Sequence, residues 1–135
     1  MFKLVEERRT WQVVTYPYLD EEGKRVEAQI DMQFVLHTAD ENIRLLREAR
    51  ELDQAILVNL EAGEDDPAKR KSALAARFGM QFIRDWKRVV EANDDPIKFS
   101  EEALARLFNV QGMYDAVLDA YRAALAGGRD ARQGN

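Results

Sequence analysis

The chain has no cysteine, a single histidine, only three prolines and no long apolar run. Without cysteine there can be no disulfide, no thiolate metal ligand and no cysteine nucleophile. The lone histidine, His37, leaves little for proton shuttling, and its place at a strand-to-helix junction reads as that of a hydrogen-bonding residue. No stretch reaches the roughly 18 apolar residues of a membrane span, and Met1 to Arg9, which contains Glu6 and Glu7, does not read as a signal peptide. Basic charge is in deficit: 25 acidic against 20 basic side chains give a net charge of −5, which opposes general affinity for nucleic acid or an acidic membrane. Phosphate-binding glycine loops, a nucleophile elbow and zinc motifs are missing. The acidic runs Glu64-Asp65-Asp66 and Asp94-Asp95 lack the spacing of a calcium loop and sit beside prolines at helix boundaries, where acids act as caps. The sequence therefore offers no catalytic residue, no metal ligand and no cofactor site, and it predicts a cytoplasmic protein that is not an enzyme.

What is present is a folding chain. With 46% hydrophobic and 33% charged residues over 135 positions, it predicts one globular domain over residues 1–128, a hairpin at 10–36 and a helical part at 39–126, with a polar tail at 129–135. Val26, Ala28, Ile30, Met32, Phe34 and Leu36 alternate with Arg25, Glu27, Gln29, Asp31 and Gln33, which is the pattern of a strand with one wet face. Thr10 to Tyr18 is rich in β-branched and aromatic residues, and the polar segment Asp20 to Lys24 supplies Gly23 for the turn. Pro17 belongs at a strand end or on an exposed edge. A hairpin alone is marginal in water, so its apolar face covers the helices or pairs with another copy. Self-association by strand addition is expected if the edge of the alternating strand is open; a covered edge fits the sequence equally well.

After His37 the period becomes helical. Thr38 and Glu41 fit a capping box, followed by Ile43, Leu46, Ala49, Leu52, Ile56 and Leu60 at helical spacing. Asp66 and Pro67 open a second helix, expected to run to about Ala92, with Phe78, Phe82, Trp86 and Val89 on one side and Arg70, Arg77, Arg84 and Arg88 on the other. Asn93 to Pro96 would end it. Ser100 caps a short helix reaching Asn109, and a last helix spans Met113 to Ala126, closed by Gly127 and Gly128. The expected fold class is α+β, mostly α, an N-terminal antiparallel β-hairpin followed by about four helices.

Two features carry recognition chemistry. Between Pro67 and Val90 lie Lys69, Arg70, Lys71, Arg77, Arg84, Lys87 and Arg88 against the single acid Asp85, a basic face for phosphates or an acidic protein, or an ordinary solvated helix face. Phe78, Phe82 and Trp86 form either core or a groove for an apolar helix.

The order of features adds a family resemblance. Met1-Phe2-Lys3-Leu4, the hairpin, Trp86 with an acidic, proline-containing break after it, Ile97-Lys98-Phe99-Ser100-Glu101-Glu102-Ala103-Leu104, then Leu107-Phe108, Gly112, Ala116-Val117-Leu118 and Ala120-Tyr121 resemble the tail assembly chaperones of long-tailed, siphovirus-type bacteriophages and prophages. The similarity spans nearly the whole chain, although the glycine expected between Trp86 and Pro96 is missing and Gln111 stands where a proline commonly precedes Gly112. The resemblance implies a non-enzymatic chaperone that binds and solubilises the tape measure protein and promotes assembly of the tail tube protein, acting in the host bacterial cytoplasm and absent from the mature virion. Candidate contacts are Phe82 and Trp86 on the second helix and Met113 and Tyr114 at the start of the last. A second reading is a small phage or prophage adaptor that binds a host regulator or nucleic acid through the basic helix 67–90.

Overall fold

The computed structural model describes residues 1–5, 7–61 and 66–128. Two twelve-residue strands, β1 (Arg8–Leu19) and β2 (Arg25–Leu36), form the expected hairpin, in register from Arg8 opposite Leu36 to Leu19 opposite Arg25. Asp20 closes the turn: its N–H donates to the Lys24 carbonyl at 2.9 Å and its carboxylate accepts the Glu22 and Lys24 N–H groups. Gly23 takes the left-handed conformation there, with φ +78°, which a side chain would oppose. Even-numbered residues point inward, burying Val14, Ile30, Met32 and Phe34, as the alternation requires.

Four helices follow: α1 (Ala39–Glu61), α2 (Pro67–Gly79), α3 (Glu101–Phe108) and α4 (Met113–Leu125). The caps are largely as the sequence implies. Asp66 accepts the Lys69 N–H with Pro67 in the first turn, and Ser100 accepts the Ala103 N–H at 3.0 Å. Thr38 stands 3.5 Å from the Glu41 N–H, but the Glu41 carboxylate pairs with Arg44 instead of reaching back. At the other end of the chain, the Gly128 N–H returns to the Ala123 carbonyl at 2.7 Å and stops α4. The polar break at 62–65, the Leu60 side chain, Glu64, Asp65 and the tail 129–135 lie outside what is described.

The second helix corrects the sequence reading. α2 ends at Gly79, and Ile83–Lys87 forms a third strand, β3, antiparallel to β2. Gly79 sits where an added Cβ would come within 3.1 Å of Leu104 and 3.3 Å of Ile83 and Phe108, so the missing side chain lets α2 approach α3 and the next strand closely. The spacing of Phe78, Phe82 and Trp86 that suggested a helix is instead one aromatic at the end of α2, one in the turn and one on the inner face of β3. Asn93 to Pro96 is then no helix stop. It turns back a short arm, with a bridge between Val90 and Pro96; left-handed Arg88 (φ 68°) precedes the arm and left-handed Asp94 (φ 71°) lies in its turn. Those are conformations in which glycine would be at ease.

The sheet order is β1-β2-β3, so the alternating strand β2 is central and β1 is an edge. The helices cover the inner face: α4 crosses β1 and β2, α2 packs on α3, and α1 rests on α2. One core joins Met32, Phe34, Phe82, Ile83, Leu104 and Val117.

Candidate functional site

α1 is amphipathic but only part of its apolar surface is used. Leu45 is buried, with Ala49 and Leu52 packed behind it, whereas Ile43 is 58% and Leu46 65% exposed. The stripe expected from Ile43 and Leu46 is therefore rotated, because Leu45 faces the core. Tyr121 on α4 ties the helix down by donating its hydroxyl to Asn42 at 2.9 Å. His37 at the start of α1 donates from Nε2 to the Gln81 carbonyl at 2.8 Å, the junction role expected of it.

Between α1, α2 and α4 this arrangement leaves a groove of about 190 Å³. Its walls are Leu45, Leu46 and Ala49 on one side and Leu118 and Leu125 on the other; Phe78, Phe82 and Tyr121 form the floor, and Asn42 and Arg122 are its polar rim. Phe78 and Phe82 meet edge to face at 5.4 Å, and Phe82 lies 4.6 Å from the Tyr121 ring. Burial holds the Tyr121 phenol above its ordinary value. Leu125 is 42% exposed, so apolar side chains stand open on both banks of the groove. Aliphatic banks over an aromatic floor suit the apolar face of a helix.

The four residues singled out from the sequence do not share one surface. Phe82 is 1% exposed and reaches the groove only as its floor. Trp86 is core: its ring meets Phe99 at 5.2 Å and its Nε1–H donates to the Ile97 carbonyl at 2.7 Å. Met113 is buried at the start of α4. Half-buried Tyr114 packs edge-on against Phe108 at 5.0 Å; burial first, then the Asp53 and Asp115 carboxylates, pushes its phenol up to about 12. Ile43, Leu46 and Leu125 are the exposed residues that the sequence reading did not select, and they cannot be told from buried neighbours by periodicity alone.

The basic stretch is likewise divided. Lys69, Arg70, Lys71 and Arg77 are on α2, while Arg84 and Lys87 are on β3 and Arg88 follows it. Arg84 pairs with Glu7 at 3.4 Å, Lys87 lies 4.4 Å over the Trp11 ring, and Arg88 grips Asp31 with two bonds of 2.9 and 3.0 Å. No continuous basic helix face spans 67–90. Of the acidic runs, Asp66 is a helix cap and Asp95 accepts from Asn93 at 3.0 Å. Among the described residues no helix is long and apolar enough to cross a membrane. No family model, curated protein or solved structure matches the chain.

Proposed function

We propose that this chain is a non-enzymatic tail assembly chaperone that holds an apolar helix of the phage tape measure protein in the groove between α1, α2 and α4. The observation that carries the reading is this groove, whose banks leave Leu46 and Leu125 open over the Phe82 and Tyr121 floor. A very long helical protein with exposed apolar surface aggregates unless that surface is covered, and many copies of a small subunit offering such grooves can cover it. The resemblance carried by Trp86, Phe99 to Leu104, Gly112 and Tyr121 supplies the identity of the partner and the link to tail tube assembly in the host cytoplasm.

Co-expression tests the proposal. A tape measure protein co-expressed with this chain is expected to be soluble and to co-purify only in its presence. A partner whose solubility is indifferent to the chaperone contradicts the reading.

A further inference from the structure

The edge of β1 is a second, separate docking feature, and it does not rest on the reading above. Pro17 has no N–H, so its pairing with Glu27 is one of the ladder's non-hydrogen-bonded pairs. The register of β1 with β2 is continuous, which makes Trp11, Val13 and Thr15 members of the same set. Two bonds agree: the Asp20 N–H closes on Lys24, in the even set, and the Val35 N–H points away from β1 to Phe82 at 2.9 Å. The N–H and C=O groups of Trp11, Val13 and Thr15 therefore face outward, and among the described residues no strand pairs with them.

This edge borders a cleft of about 650 Å³ between β1 and α4, lined by Val13, Thr15 and Pro17 on the strand and by Asp115, Ala116 and Asp119 on the helix. Ala116 is small and leaves room beside the strand, and Asp115 makes that wall acidic together with Asp119, whose exposed carboxylate also meets Arg122 at 3.1 Å. In the same chain the segment Met1-Phe2-Lys3-Leu4-Val5 stands away from the core, with Phe2 73% and Leu4 93% exposed. It is apolar except for the cation Lys3, and among the described residues its one hold on its own copy is Arg8, which lies 4.6 Å over the Phe2 ring and donates to the Lys3 carbonyl at 2.8 Å.

We propose that the cleft receives residues 1–5 of a second copy of this chain as an added strand on β1. The segment's own copy is too close to serve. A tight reversal before Arg8 would set Val5 beside Arg8 and Met1 beside Gln12, at the near end of the cleft and short of Val13, Thr15 and Pro17. Charge selects the register. With Lys3 turned to Asp115 and Asp119, Met1 and Val5 flank it on the helix side, and Phe2 and Leu4 fall on the outer sheet face beside Val13 and Thr15. A slip of one residue would put Phe2 and Leu4 against the carboxylates and Lys3 on the face where Lys87 already covers Trp11. Pairing of β1 with β1 of another copy is disfavoured, since it would bring two sets of Asp115 and Asp119 together.

Light scattering on the full chain, over about a hundredfold range of concentration, tests this. The wild type is expected to grow above its 15.5 kDa mass with concentration. Lys3→Glu, on the exposed arm, and Thr15→Pro, which removes one outward N–H, should each weaken assembly at least about tenfold. Lys3→Glu copies should regain it when mixed with an Asp115→Lys, Asp119→Lys variant. A wild type that stays at monomer mass throughout overturns the proposal. So does assembly lost in Thr15→Pro but unchanged in Lys3→Glu, which would assign the edge to β1 of the second copy, and so does assembly indifferent to both.

Discussion

Trp86 is held by a ring contact with Phe99 and by the bond from its indole to the Ile97 carbonyl. Trp86→Ala removes both and leaves that carbonyl without its donor, so it is expected to lower the free energy of unfolding by about 3–5 kcal/mol in urea titrations. Gly79→Val would drive methyl groups into Leu104, Ile83 and Phe108 and is expected to cost about 1–3 kcal/mol by overpacking. Tyr114 sets an alkaline limit. Its phenol, at about 12 in the folded chain, keeps its proton where the unfolded chain, at about 10, has lost it. The stabilisation is complete below pH about 10 and is lost as pH rises to about 12. Stability curves in that window should fall less steeply for Tyr114→Phe than for the wild type. At this scale the sequence spoke clearly where local bonding decides, as with Ser100, Asp66 and His37. It was silent on whether Phe82, Trp86 and Met113 face solvent or core, because periodicity identifies an apolar side chain without identifying what covers it.

Elements whose signals agree were legible. β1 and β2 alternate cleanly around a glycine turn, and α3 and α4 begin and end within a residue or two of their expected limits, fixed by Ser100, Gly112 and Gly127. The stretch after Gly79 was not legible, since five residues of strand are too few for a period-two signal and the aromatic spacing imitates a helix. Its pairing to β2 is a tertiary event that local sequence does not encode. α1 shows the same limit: its apolar residues surround more than one face, and only the position of Leu45 against the core fixes its rotation. Because α1 rests mainly on α2 and on the Tyr121–Asn42 bond, Tyr121→Phe is expected to cost about 0.5–1.5 kcal/mol. It should also speed amide exchange in α1 more than in β2, which has a neighbour on both edges.

The whole molecule presents two different surfaces on two sides. A sheet backed by helices supplies the rigid frame, the α1–α4 groove offers apolar surface to a helix, and the β1 edge offers backbone hydrogen bonds to a strand. The two surfaces are chemically distinct, so the proposed self-assembly and the proposed partner binding would not compete for the same residues. Leu46 makes the distinction measurable because it is exposed and its loss should leave the fold intact. The decisive measurement is the soluble yield of co-expressed tape measure protein with wild-type chain and with a Leu46→Asp, Leu125→Asp variant whose circular dichroism matches the wild type. Burying either carboxylate without a partner is costly, so the account predicts that the variant loses at least about tenfold of the soluble complex. A folded variant that solubilises the partner as well as the wild type does would contradict the groove as the binding site.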